Sequence, residues 1–237
     1  MVKGYLFDYG GTLDTGGNHW GKVIWHAYRH LGVPVSEAQY REAYVHGERT
    51  LARQPIIRPD FTFRQTLEAK VSLQLQYLGM ADTALPAAHG ETALGDTVLA
   101  TALVDILYAQ TKRHTAHSRE VLVRLAAESP LVLVSNFYGN IHTVLREFGL
   151  DGLFQSVIES AVVGFRKPDP RIFALGVETL GLKAAEVVVV GDSMDKDILP
   201  ARKAGCRTVW IEGEPWTDTP VDRTVPDRII TDLTELI

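Results

Sequence analysis

Brief unbroken apolar runs alternate with helix-like stretches over residues 118–237. The runs are LVLVS (131–135), SVIES (156–160), VVVVGD (187–192), RTVWI (207–211) and DRII (227–230). Valine and isoleucine without polar alternation predict strands covered on both faces, hence a parallel sheet between helical layers. Helices are predicted near 119–128, 141–148, 170–180, 196–204 and 232–236. VKGYLFD, at the start of the chain, has the same strand character but lies more than a hundred residues upstream.

The intervening segment reads as helix throughout. Trp20, Val23, Ile24, Ala27, Tyr28 and Leu31 recur at three- and four-residue intervals, an amphipathic stripe. Ser36 and Gln39 fit a capping box that opens a second helix. Asp60 is a candidate cap for a third, carrying Leu67, Val71, Leu75 and Leu78. Asp96 is the candidate cap of a fourth, with Leu99, Leu103, Ile106 and Leu107. The fold class expected is therefore α/β: a doubly wound parallel-sheet core, residues 1–15 and 113–237, with an α-helical bundle, 16–112, inserted after the first strand. Gly16-Gly17 and the segment near 111–117 are the expected hinges.

Composition narrows the partners. The 237 residues suffice for a core domain and a smaller companion, and 46% hydrophobic with 22% charged is an ordinary globular balance. The net charge of −5 comes without any lysine–arginine cluster, so no nucleic acid is expected. The apolar runs are too short to span a bilayer, so no membrane association is expected. The N-terminus enters a strand with no apolar leader before it. A single cysteine, Cys206, excludes an internal disulfide and reads as a small buried residue. A cytoplasmic protein is the expectation; its oligomeric state is left open.

Ligands of open parallel sheets sit at the carboxyl ends of the strands. The first strand ends in Asp8, the second in Ser135-Asn136, and the run at 187–190 in Gly191-Asp192, with Asp197 five residues on. Lys167 follows the run at 156–160 in the segment GFRKPDP. Each alone has an ordinary explanation as a turn or cap residue. Together they place carboxylates, a hydroxyl, an amide and an ammonium in one crevice.

These segments resemble the haloacid dehalogenase (HAD) superfamily: Asp8 before Gly11-Thr12-Leu13, Ser135-Asn136, Lys167-Pro168, and Gly191-Asp192 with Asp197. The insert matches the position of that family's helical cap. The resemblance implies a Mg²⁺-dependent hydrolase, most often a phosphatase of a small phosphorylated metabolite. Asp8 would attack phosphorus and form an aspartyl-phosphate. Mg²⁺ would bind the Asp8 and Asp192 carboxylates and the Gly10 carbonyl, since hard oxygen ligands suit it. Lys167 would neutralise a phosphoryl oxygen, while Ser135, Asn136, Thr12 and the backbone N–H of Gly11 would face the phosphoryl group. Asp197 would orient Lys167 or a metal-bound water rather than bind metal directly.

One position departs from the family. Two residues after the first aspartate the family usually carries a second, the general acid and base; here it is Gly10. Two glycines in a turn suggest unusual backbone angles as the ordinary reason. Replacement acids in the sequence are Asp14, Tyr9, His19 and His46, with Tyr9 better suited to packing. A leaving group that needs no protonation is the other way out. Arg49, Arg53 and Arg58, read as a loop at 46–60, are candidates to recognise an anion. The alternatives are a catalytically weakened ligand- or partner-binding member, and a dehalogenase- or phosphonatase-type hydrolase. The phosphonatase branch needs a Schiff-base lysine; the insert's lysines are Lys22, Lys70 and Lys112.

Overall fold

The computed structural model describes residues 2–80 and 98–237. Six strands form one parallel sheet: β1 (Gly4–Phe7), β2 (Leu131–Ser135), β3 (Ser156–Glu159), β4 (Val187–Gly191), β5 (Arg207–Ile211) and β6 (Arg228–Ile230). Their order is β3-β2-β1-β4-β5-β6, so the chain winds outward from β1 in both directions. That order is the doubly wound arrangement, and its switch point lies beside β1. Successive residues of each strand bury against opposite layers, as the two-residue period requires. Leu6, Val132 and Val189 join Ile172 and Phe173 on one face. Phe7, Leu133 and Val190 join the larger core on the other face. Full burial of such side chains contributes roughly 1.5–3 kcal/mol each.

Among the described residues, four helices occupy the stretch between β1 and β2: α1 (Trp20–His30), α2 (Glu37–Arg53), α3 (Phe63–Tyr77) and α4 (Val98–Ala126). The box expected at Ser36 caps α2, with Ser36 and Gln39 exchanging side-chain and backbone hydrogen bonds. The start of α3 corrects the sequence reading. Thr62, not Asp60, is its cap, in a second box with Gln65, while exposed Asp60 pairs with Arg58 at 3.2 Å. The expected cap Asp96 lies outside the described residues. A second correction concerns 111–117. The two helices expected on either side are one, because 98–126 holds neither glycine nor proline and buries Leu107, Thr111, Thr115, Ser118 and Leu122 at helical spacing. Ser118 Oγ also donates to the Leu13 carbonyl at 2.8 Å, fastening α4 to the turn after β1.

The sheet's own connections carry α5 (Ile141–Glu147), α6 (Ser160–Val163), α7 (Arg171–Leu180) and α8 (Leu199–Lys203). Among the described residues no helix is long and apolar enough to cross a membrane. Cys206 is buried, as its sequence position suggested, and burial pushes its thiol up to about 11.

Candidate active site

The register of the sheet assembles the floor of a cavity. Phe7 lies beside Leu133 and Val190, so Asp8, Ser135 and Asp192 emerge together where these three strands end. Asp8 N–H still donates to Val190 O at 3.0 Å, which fixes where its side chain starts. Lys167 arrives from the segment after α6. Its ammonium bridges Asp8 Oδ1 at 2.5 Å and Asp197 Oδ1 at 2.7 Å, all three side chains being buried. Burial alone would lower the Lys167 pKa; the two carboxylates outweigh it and hold the ammonium above its ordinary range.

Asp192 is the electrostatic counterpart. Burial, then the charges of Asp8 and Asp197, push its carboxyl well above the usual range. Thr12 Oγ1 donates to Asp192 Oδ1 at 3.0 Å and reaches Asp8 Oδ2 at 3.5 Å. Carboxylate oxygens of Asp8, Asp192 and Asp197 lie within 4.8 Å of one another. Crowded carboxylates with a shortage of positive charge are the setting that a hard divalent cation fits. Since Lys167 takes Oδ1 of both Asp8 and Asp197, the carboxylates of Asp8 and Asp192 are the better-placed pair to hold one.

Asp197 sits in a single π-type turn, Met194–Ile198. Its Oδ2 accepts from Ser193 N at 3.1 Å, and burial lifts its pKa to about 6 against the opposing pull of Lys167. Its other oxygen takes the Lys167 ammonium. Asn136 differs from expectation: its amide donates to Lys167 O at 2.9 Å and accepts from Lys167 N at 3.0 Å, so it positions that segment's backbone. Gly11 differs too. Its N–H donates to Asp14 Oδ1 at 2.7 Å and is already engaged.

Asp14, a candidate replacement acid, is fully buried and accepts from Trp20 Nε1 at 3.0 Å as well. It braces the turn beneath Trp20, and burial raises it to about 7. Tyr9 packs edge-on against Phe137, as its position on the strand implied. His19 does line the cavity, but its Nδ1 caps α1 by accepting from Gly21 N at 3.0 Å, and burial lowers its pKa to about 4. His46 is exposed and stacks on Tyr77. The arginines are elsewhere. Residues 46–53 are helix rather than loop, and Arg49 and Arg53 are exposed beside a separate hollow with His46 and Tyr77.

Gly10 lines the cavity, and a Cβ built on it meets nothing within 4 Å. Its backbone avoids the left-handed region, whereas Gly11 has φ +100° and a Cβ there would strike Asp192 Oδ2 at 2.4 Å. The expected conformational reason therefore applies to Gly11 alone. Gly10 leaves open space.

The helices supply the roof, which the sequence reading did not resolve. Lys70 of α3, 8% exposed, pairs with Glu48 Oε1 of α2 at 2.9 Å. Tyr138 Oη, from the segment after β2, donates to Glu48 Oε2 at 2.7 Å. Burial opposes both charges, but each outweighs it for the other: Glu48 is held below the usual carboxylate range and Lys70 above the usual amine range. Trp20, Tyr44, Phe63 and Phe137 complete a cavity of about 150 Å³. One signal was available in the sequence: Lys70 falls three residues after Leu67, inside the apolar stripe of α3.

A glyceraldehyde 3-phosphate phosphatase of Pyrococcus furiosus is 29% identical over 140 residues, 56% of this chain and 58% of that one. Its counterpart in Methanocaldococcus jannaschii is 40% identical over 93 residues, 39% of this chain and 40% of that one. A phosphoserine phosphatase of Thermus thermophilus is 38% identical over 88 residues, 37% of this chain and 34% of that one. The chain thus spans about half the length, or less, of these curated relatives. Among solved structures, the HAD-hydrolase YfnB from Bacillus subtilis bound to magnesium aligns over 99% of this chain and 96% of its own, with TM-score 0.59 and 21% identity. A dehalogenase with an intermediate complex aligns over 99% and 95%, with TM-score 0.62 and 19% identity. At such identities the likeness is one of fold. The family model of haloacid dehalogenase-like hydrolases matches residues 2–205, which takes in every floor residue, and this chain is a member of that family of hydrolases.

Proposed function

We propose that the protein is a Mg²⁺-dependent phosphatase of a small phosphorylated metabolite, with Asp8 as nucleophile. The observation that carries this reading is Asp8 at the cavity floor, held by Lys167 at 2.5 Å and facing Asp192 across Thr12. The relatives named as phosphatases of glyceraldehyde 3-phosphate, phosphoserine and phosphoglycolate support it. So does a cavity of about 150 Å³, suited to a phosphoryl group with a short carbon chain.

Two anions must meet when Asp8 approaches a phosphate, so fixed positive charge decides the rate. Lys167 supplies one such charge and holds the attacking carboxylate in a single orientation. Asp197 keeps that lysine in place, and Asn136 fixes the backbone from which it springs. Ser135 is buried at the cavity wall, where its hydroxyl can donate to a phosphoryl oxygen. Mg²⁺, when held by Asp8, Asp192 and the Gly10 carbonyl, would offset the carboxylate charge and polarise the phosphoryl group. Residues 16–112 would act as a cap over 1–15 and 113–237, excluding water from the reacting atoms.

A second reading is carbon–phosphorus cleavage through a Schiff base, because Lys70 lines the same cavity as Gly10. Its pairing with Glu48 holds it as an ammonium, the wrong form for attack on a carbonyl. The test is phosphate release from phosphorylated two- and three-carbon acids and aldehydes, with and without millimolar Mg²⁺, alongside phosphonoacetaldehyde. Mg²⁺-dependent release that falls at least ~10³-fold in Asp8→Asn is expected, as for loss of a nucleophile. Turnover of phosphonoacetaldehyde alone would establish the second reading instead.

A further inference from the structure

Glycine at position 10 has no side chain with which to give a proton, and a Cβ built there meets nothing within 4 Å. The other titratable groups in the cavity wall are largely committed. Lys167 spans two carboxylates, and His19 spends Nδ1 on the cap of α1. The Tyr138 hydroxyl is given to Glu48, and Lys196 stands exposed at the rim. Lys70 is different. Its Nζ has one carboxylate contact, Glu48 Oε1 at 2.9 Å, and otherwise lies 5.8 Å from the Trp20 ring and 5.1 Å from the Tyr138 ring, both in the cavity wall. An ammonium carries three N–H donors, and the Glu48 pair accounts for one.

On the phosphatase reading above, we propose that Lys70, positioned by Glu48, is the catalytic residue that takes over the proton transfer vacated at Gly10. In the first half-reaction the Asp8 carboxylate forms a bond to phosphorus as the phosphorus–oxygen bond to the leaving group breaks. A proton passes from Lys70 Nζ to the departing oxygen, leaving a neutral amine. In the second half-reaction water attacks the aspartyl-phosphate, the Asp8 oxygen–phosphorus bond breaks, and the water proton returns to Lys70. Atoms and charge balance, and the lysine ends as it began. Glu48 is a positioning residue: its charge keeps the resting lysine protonated, and Tyr138 keeps Glu48 turned toward it.

The test uses ethyl phosphate and acetyl phosphate, similar in size but opposite in need, because ethoxide requires a proton to leave and acetate does not. The readout is kcat/KM, which covers steps only up to departure of the first product. Lys70→Met and Lys70→Arg should each lose about 10²–10⁴-fold on ethyl phosphate, the usual worth of a general acid. Losses on acetyl phosphate should stay within about tenfold. Arginine keeps the charge and the donors but does not give up a proton. Ethyl phosphate turnover retained in Lys70→Arg would therefore overturn proton transfer in favour of charge alone. Equal losses on both substrates in a variant that still melts cooperatively would overturn the proposal too. Adding Gly10→Asp to Lys70→Arg should restore ethyl phosphate turnover at least tenfold, and no rescue would count against the shared role. Glu48→Gln should show the same substrate bias in weaker form; equal losses on both substrates would remove its positioning role. Failure of the wild type on acetyl phosphate with Mg²⁺ would instead overturn the phosphatase reading itself.

Discussion

On the floor of the cavity, Asp8, Ser135 and Asp192 stand where three adjacent strands end, and Lys167 in the segment that follows a fourth. In the roof, Glu48 and Lys70 come from the middles of two helices and meet only because α2 packs on α3. Both regions contain a buried lysine paired with carboxylate, yet they answer to different constraints. The floor lysine satisfies two carboxylates at once and is locked between them. The roof lysine satisfies one and keeps donors for a ligand. A locked charge serves geometry; a charge with donors to spare serves chemistry.

The largest effect on stability is expected where the lock is broken. Lys167→Met leaves Asp8 and Asp197 as buried carboxylates without their cation. Removing one partner of a buried pair costs about 3–5 kcal/mol, or roughly 10 °C in melting temperature for a chain of this size. The loss should be full at pH 8 and partly recovered near pH 5, where the Asp197 carboxyl, which burial lifts to about 6 even beside Lys167, regains its proton. Thermal melts in a metal chelator at both pH values check this. Lys70→Met, which frees only Glu48, should lose clearly less; an equal loss would erase the distinction between floor and roof.

The same contrast governs what was legible in the chain. Floor residues announce themselves because a strand end is a local event: an apolar run stops at Asp8 or Gly191-Asp192, and sheet topology brings the ends together. Roof residues carry no such mark. Glu48 and Lys70 are 22 positions apart; Lys70 falls inside the apolar stripe of α3, but only tertiary packing decides that the two meet. The same limit explains Asn136 and the N–H of Gly11, whose partners are set by hydrogen bonds that motif spacing does not encode. That α1, α2 and α3 are helices was readable, but the cap of α3 and the continuity of α4 were not. Asp60 and Thr62 are both good caps, and Gln65 settles the choice by completing the box at Thr62.

A smaller effect separates the turn beneath the site from the site itself. The Asp14 carboxyl rises from 3.8 to about 7, chiefly through burial, and Asp192 and Asp197 are shifted in the same direction. Each therefore holds its proton to higher pH in the folded state than in the unfolded chain. Stability contributed this way is present at low pH and is lost as pH rises from about 4 to 7. Asp14→Asn removes one of these contributions, to which Glu68 and Glu159, also raised by burial, add. The decline of unfolding free energy between pH 4.5 and 7.5 should become shallower by about 1–3 kcal/mol. Denaturant titrations at several pH values read this slope directly, and an unchanged slope would assign the titration to the other raised carboxyls.

The smallest effect is expected at Gly10, which lines the same cavity as Asp8 and Lys70. A methyl there meets no atom within 4 Å, and the backbone already lies outside the left-handed region. Gly10→Ala should therefore stabilise the fold slightly, by about 0.4–1 kcal/mol, because the unfolded chain loses freedom and the folded one loses nothing. Next to it, Gly11 could not take the same change without driving a Cβ into Asp192. If glycine is not required by the backbone, what it preserves is volume. A substrate whose leaving group passes between Asp8 and Lys70 would use that volume, so Gly10→Ala should raise KM for ethyl phosphate while leaving the melting temperature intact or improved. Unchanged KM together with a gain in stability would mean that the space at Gly10 serves neither folding nor binding, and the roof would then have to act on the substrate from another side.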